Sequence, residues 1–292
     1  MKLDSPSGAR GPLVEIPVEE ARISVDGVGW RYQKAGAGPT LLLVHGLLGY
    51  SFSWRFALPM LARHATVYAM DLPGAGFSDR PRQADCTMRG IAARLIRFLD
   101  VAGISQCDLL GTSHGGAIAM TAVALAPQRF RRLILVAPVN PWSARGKSLS
   151  VLLSNPMVAP LFVRIAPHLP VVQAHYLKRL YGDLSRIRPG TMEGYRQPLL
   201  VPGAFEYCLS ILRSWNRDLK ELGAVIPSLA SLPNLLMWGD RDAAVDPRSA
   251  DRLKEQIRGS ELVMFPGVGH LPYEEVPQEF SRAVMDFLQV PR

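Results

Sequence analysis

The chain has 292 residues, 48% of them hydrophobic and 20% charged. That balance is ordinary for a globular protein and excludes a disordered tail or a collagen-like fibre. The net charge of +8 raises nucleic-acid binding, but no Lys/Arg run interleaved with aromatics occurs, so a solvated basic surface and no nucleic-acid partner are expected.

Residues 1–12, MKLDSPSGARGP, lack the apolar core of a signal peptide. Apolar runs such as Leu41–Val44 and Leu133–Ala137 fall far short of the roughly 20 residues that span a bilayer. Cys86, Cys107 and Cys208 are scattered, with no CxxC and no Cys/His cluster, which speaks against a disulfide framework or a zinc site. A soluble protein of a reducing compartment, the cytoplasm, is the expectation.

Ile23–Val25 and Gly29–Tyr32 read as short strands around the turn Asp26-Gly27. Leu41–Val44, Val67–Met70, Cys107–Leu110, Leu133–Val136, Leu235–Trp238 and Leu262–Phe265 are continuous apolar runs of strand length. Between them lie helix-like segments: Phe52–Arg63, the amphipathic Met88–Val101 with Gly103 as its C-cap, the Ala-rich Ala117–Ala126, Ser249–Ile257 and Pro277–Leu288. This alternation predicts an α/β fold, a mainly parallel sheet of about eight strands covered by helices on both faces, with the hairpin at one edge.

One interval breaks the alternation. Residues 140–233 carry many prolines, helix-like patches and no clear strand, and read as an inserted, mostly helical cap on a core made of 1–139 and 234–292. Eleven Lys/Arg, Arg145 and Lys147 among them, face five Asp/Glu in the insert, which accounts for most of the net charge. Its apolar stretch from Val151 to Val163 has two readings, a helix packed on the core or a lipophilic acyl pocket that touches a membrane surface. The first is preferred.

The run Cys107–Leu110 leads into Gly111-Thr112-Ser113-His114-Gly115-Gly116 and then a helix. A G-x-S-x-G between strand and helix holds a serine on a sharp turn above the sheet edge, over a helix N-terminus with unpaired N–H groups. A serine hydroxyl needs a base to take its proton. His270 qualifies, because it sits in a Gly/Pro-rich loop just after a predicted strand, where open α/β sheets place their sites. His114 adjoins the serine and should diverge from it, so its backbone N–H is the useful part. His64, His168 and His175 read as surface or cap residues, and His45 as a structural histidine of its loop.

The base also needs an anionic orienter. Asp240, Asp242 and Asp246 follow the strand Leu235–Trp238, and spacing ranks none above the others. The loop Val44-His45-Gly46-Leu47-Leu48-Gly49 can turn amides toward a common point, and the N–H groups of Leu47 and His114 are the candidate oxyanion donors.

Together, His45-Gly46, Asp71-Leu72-Pro73-Gly74-Ala75-Gly76-Phe77-Ser78, the Ser113 motif, Trp238-Gly239-Asp240-Arg241-Asp242 and Gly269-His270 with Glu274, Glu275 and Pro277 resemble the α/β-hydrolase superfamily over nearly the whole chain. The resemblance implies Ser113 as nucleophile, His270 as base and Asp242 as the acid, with Leu47 and His114 as oxyanion donors and Asp71 as a structural residue. It implies no metal or organic cofactor.

Superfamily members with aspartate at the elbow, the haloalkane dehalogenases and epoxide hydrolases, are disfavoured by Ser113. The carbon–carbon hydrolases of ring-cleavage products typically carry tryptophan after the catalytic histidine, where this chain has Leu271. The expectation is a carboxylesterase-like or lipase-like serine hydrolase acting on a small or lipophilic ester. A carbon–carbon hydrolase and a non-catalytic ligand-binding member are the alternatives.

Overall fold

The computed structural model describes residues 16–142, 151–153 and 155–289. The N-terminal stretch, Arg145, Lys147 and Ser154 of the apolar stretch lie outside them. Eight strands form one sheet in the order β1-β2-β4-β3-β5-β6-β7-β8. β1 (Val18–Val25) and β2 (Val28–Ala35) pair antiparallel, as do β2 and β4 (Thr66–Met70). β3 (Thr40–Val44), β4, β5 (Cys107–Thr112), β6 (Phe130–Val136), β7 (Asn234–Gly239) and β8 (Glu261–Phe265) run parallel.

The apolar runs are strands buried on both faces, and alternate residues feed two cores. Leu42, Val44, Leu109, Leu133, Leu135, Leu236 and Trp238 join one. Leu41, Leu43, Leu110, Ile134, Val136, Leu235 and Met237 join the other. The first core is closed by α2 (Met88–Val101), α3 (His114–Leu125), α7 (Ala204–Val225) and α8 (Ser249–Gln256). The second is closed by α1 (Leu58–Leu61), α9 (Pro272–Glu275) and α10 (Pro277–Gln289). Thr87 starts α2 as its N-cap, its side chain accepting from the Gly90 N–H.

Local expectations were met with three corrections. The opening hairpin is longer than the apolar pattern implied, because β1 is a largely exposed edge strand whose Glu19, Glu20 and Arg22 mask the alternation. Its turn does use the predicted residues, with Asp26 at φ 51° and Gly27 at φ 80°. The expected helix over Phe52–Arg63 is two pieces, a 3-10 turn (Ser51–Trp54) and the short α1, in which Pro59 is confined to the first turn.

The third correction concerns the insert. Between β6 and β7 no strand occurs among the described residues; residues 151–153 are helical, and further helices are α4 (Ala159–Ile165), α5 (Pro170–Lys178), α6 (Thr191–Arg196) and α7. The preferred reading of the apolar stretch as core-packed is not what forms. Ala159 is buried, but Val151, Leu152, Met157 and Leu161 are exposed, because one short helix can turn only a narrow stripe inward. α7 is different: Tyr207, Ile211, Trp215, Leu219 and Leu222 pack into the first core. No helix among the described residues is long and apolar enough to cross a membrane.

Candidate active site

β3 lies between β4 and β5, so chain direction across the sheet reverses there, and the carboxyl ends of β3 and β5 flank the switch point. Ser113 leaves β5 at φ 54°, ψ −123°, a region that L-residues rarely enter, and α3 begins at the next residue. Among the described residues only four non-glycines have positive φ; Asp26 serves the hairpin, and Leu48, Ser113 and Ala137 end or follow β3, β5 and β6 on this one rim. Backbone strain is thus concentrated where the strands deliver their loops.

The elbow closes because side chains are missing at its contacts. A Cβ on Gly115 would fall 2.2 Å from the His45 carbonyl oxygen, and one on Gly111 would fall 2.5 Å from the Gly115 oxygen. The loop after β3 therefore presses directly on the serine. A Cβ on Gly46 would stand 3.0 Å from Ser113 Cβ and 3.6 Å from its Oγ. A turn closed by Gly49 N–H to the Gly46 carbonyl (3.0 Å) carries Leu47 at its second position, whose amide the turn does not use.

His45 is held within this loop, as expected, and also ties it to the next one. Its Nδ1–H donates to the Gly46 carbonyl at 2.8 Å, and its Nε2 accepts from the Leu72 N–H at 3.0 Å. This assigns a neutral imidazole, and burial pulls its pKa down in the same direction. Asp71 is equally committed to structure. Its buried carboxylate accepts from the amides of Ser51 and Phe77 at 2.8 and 2.9 Å and from Arg31 at 3.2 Å.

Three dimensions separate the competing aspartates. Asp242 Oδ2 accepts from His270 Nδ1 at 2.7 Å, while its Oδ1 accepts from the amides of Ala244 and Val245 at 2.7 and 2.9 Å. Both side chains of this pair are almost wholly buried. Asp240 instead accepts from the Gly267 amide, and Asp246 pairs with Arg248. His64, His168 and His175 are exposed, as surface or cap residues would be.

His114 begins α3 with its ring buried and stacked on Trp215, centroids 5.5 Å apart. Burial, with neighbouring His45 adding to it, lowers its pKa to about 3. The unfolded chain therefore takes up a proton below about pH 6.5 that the folded chain refuses, and stability falls as pH falls through this window. Going from pH 8 to pH 5 is expected to cost about 2 kcal/mol through His114 alone. His114→Phe keeps a ring against Trp215 and should remove that share of the loss, as urea denaturation at the two pH values would measure.

Motif reading gave no role to the residues that hold the His270 loop. The Glu275 carboxylate accepts from the amides of Gly269, Gly182 and Asp183, and the His270 N–H donates to the Leu180 carbonyl at 2.7 Å. Glu274, buried beside it, takes both Arg55 N–H groups at 2.6 and 2.7 Å and the Tyr181 hydroxyl at 2.7 Å, with the Tyr195 hydroxyl as a further donor. Two adjacent acids just after Gly269-His270 were the only sequence signal for this network, and apart from Gly269 their partners are more than 70 residues away.

A partly open pocket lies beside the elbow, bounded by the loops after β3 and β4 and by the insert. Leu47, Leu72, Ile91, Leu199 and Ile211 supply much of its apolar lining, with His114 at its base. No cluster of side chains able to hold a metal ion occurs among the described residues.

The sequence is similar to a pimeloyl-[acyl-carrier protein] methyl ester esterase of Aeromonas hydrophila, 29% identical over 88% of this chain and 98% of that protein. It is also similar to a 2-hydroxy-6-oxo-2,4-heptadienoate hydrolase of Pseudomonas putida, 26% identical over 90% and 93% of the two chains. Among solved structures, a bacterial membrane phospholipase A superposes with a TM-score of 0.77, 26% identity and coverage of 93% and 86%. The profile of the alpha/beta hydrolase fold family matches residues 39–277, from the start of β3 past His270, and the chain belongs to that family.

Proposed function

We propose that the protein is a serine esterase that works through an acyl-enzyme. The observation that carries this reading is the buried 2.7 Å hydrogen bond from His270 Nδ1 to Asp242, on loops that leave the same sheet rim as the strained Ser113. With Nδ1–H committed to Asp242, Nε2 is the free lone pair for a hydroxyl proton. Similarity to a methyl ester esterase and to a phospholipase A supports ester chemistry.

In this mechanism Ser113 Oγ attacks the ester carbonyl while His270 Nε2 accepts its proton. Asp242 holds the tautomer and stabilises the imidazolium. The Leu47 and His114 amides receive the oxyanion, each worth roughly 3 kcal/mol in the transition state. Collapse expels the alcohol, which takes the proton from His270. Water then attacks the acyl-enzyme, giving a proton to His270 Nε2; collapse breaks the bond to Ser113 Oγ, which takes that proton back from His270, and the acid leaves. The pocket beside the elbow receives the acyl chain, and the insert residues that line it, Leu199, Tyr207 and Ile211 among them, select it.

A fluorophosphonate probe tests the nucleophile: the expected result is one covalent adduct, mapped to the peptide carrying Ser113. Hydrolysis should then be measured on p-nitrophenyl esters of graded acyl length beside a ring-cleavage dienoate. Turnover of esters with an optimum at intermediate length is expected. Turnover of the dienoate alone would move the reading to carbon–carbon hydrolysis, and no adduct with no turnover would make this a binding member of the fold.

A further inference from the structure

We propose that the outer face of α4 and α5, the element that braces the His270 loop, docks on an anionic phospholipid bilayer. Exposed large apolar side chains concentrate there. Met157 is 89% exposed, Val171 80%, Leu161 and Val172 59%, and Tyr176 and Ile165 complete the surface. Leu161 and Ile165 share one face of α4, and Val172 and Tyr176 one face of α5, each pair four residues apart. A single 3-10 turn joins the two helices, and Gln173 donates back to the Ala166 carbonyl at 2.7 Å across it. A soluble surface rarely keeps so many apolar side chains together without an occupant.

Charge selects the occupant. The sequence contains no Asp or Glu from residue 109 to residue 182, and Arg164, Lys178 and Arg179 stand exposed in the same segment. None of the three has a carboxylate partner among the described residues. An apolar face rimmed by unpaired cations matches a membrane interface with anionic headgroups. A second copy of the chain would bring these cations against their own equivalents across a two-fold axis.

The position of α5 links docking to the site. Leu177 packs in the second core with Leu271 and Tyr273, and Leu180, two residues past the helix, accepts the His270 amide. The link to catalysis rests on the Ser113 reading given above; membrane binding itself does not.

The test uses the full chain as the Ser113→Ala variant, sedimented with vesicles of phosphatidylcholine alone or mixed with phosphatidylglycerol. Binding only to the mixed vesicles, weakened by salt, is the expected result. Val171→Asp with Met157→Asp, and separately Arg164→Glu with Lys178→Glu, should each weaken it by about 10-fold or more. With Ser113 intact, these two double variants should leave hydrolysis of a water-soluble acetate ester unchanged. No sedimentation with anionic vesicles overturns the proposal, as does a light-scattering dimer that Val171→Asp converts to monomer without any vesicle binding. Vesicle binding by a Ser113→Ala protein that still hydrolyses esters would leave docking standing and remove the nucleophile assignment instead.

Discussion

Replacing Ser113 with alanine is expected to lower kcat on a p-nitrophenyl ester by about 10^5-fold or more, with the fold retained. The fold survives because alanine keeps the Cβ and loses only Oγ. The strained backbone at φ 54° is no worse for alanine than for serine. It is set by hydrogen bonds of the main chain, Ser113 N–H to Val136 and the Gly116 and Val139 amides to the Ser113 carbonyl.

Asp242→Asn should cost about 10^4-fold, because an amide that donates toward Nδ1 turns the imidazole to the wrong tautomer. The same change at Asp240 or Asp246 should leave kcat within a few-fold, since neither carboxylate accepts from His270. Steady-state rates with matched circular dichroism spectra would check all four variants. Ester turnover by Ser113→Ala equal to the parent would refute the mechanism.

The second large effect concerns Glu274. Its carboxylate is 1% exposed and forms a two-pronged pair with Arg55, whose guanidinium also reaches Thr191 at 2.8 Å. Removing one partner leaves a buried charge without compensation, and Glu274→Ala is expected to destabilise the protein by about 3–5 kcal/mol. Arg55→Ala alone should be similarly damaging. The double variant should cost clearly less than the two singles together, because no uncompensated charge remains. Urea denaturation of the three proteins measures this cycle, and strict additivity would mean that the pair is not coupled.

The network also spans elements. Arg55 follows the loop beside Ser113, Glu274 sits behind His270, and Tyr181, Thr191 and Tyr195 belong to the insert. Its loss should therefore reach the His270 loop, and a reduced kcat in Glu274→Ala at temperatures where the protein remains folded is the accompanying expectation.

Local chemistry was legible in the amino-acid order. Strands buried on both faces must be apolar throughout, so β3 to β7 stand out as runs, and the turns after them carry glycine wherever backbones meet closely. Ser113 stood out as a candidate nucleophile because its motif lies between such a run and a helix. His270 stood out as a candidate base from its loop after a predicted strand. Asp242 was different: the carboxylate spacing left three candidates open, and only the family resemblance singled it out.

Tertiary structure alone decided the rest, for physical reasons. Which aspartate meets His270 depends on how two loops from β7 and β8 lie side by side, a distance of 28 residues along the chain and one hydrogen bond in space. Pairing of Glu274 with Arg55 closes 219 residues and leaves no periodic trace. Hydrophobicity states how strongly a side chain avoids water, not whether neighbours exist to cover it. The apolar stretch of the insert accordingly looked like core in the sequence, and the packing of α4 and α5 left it facing outward.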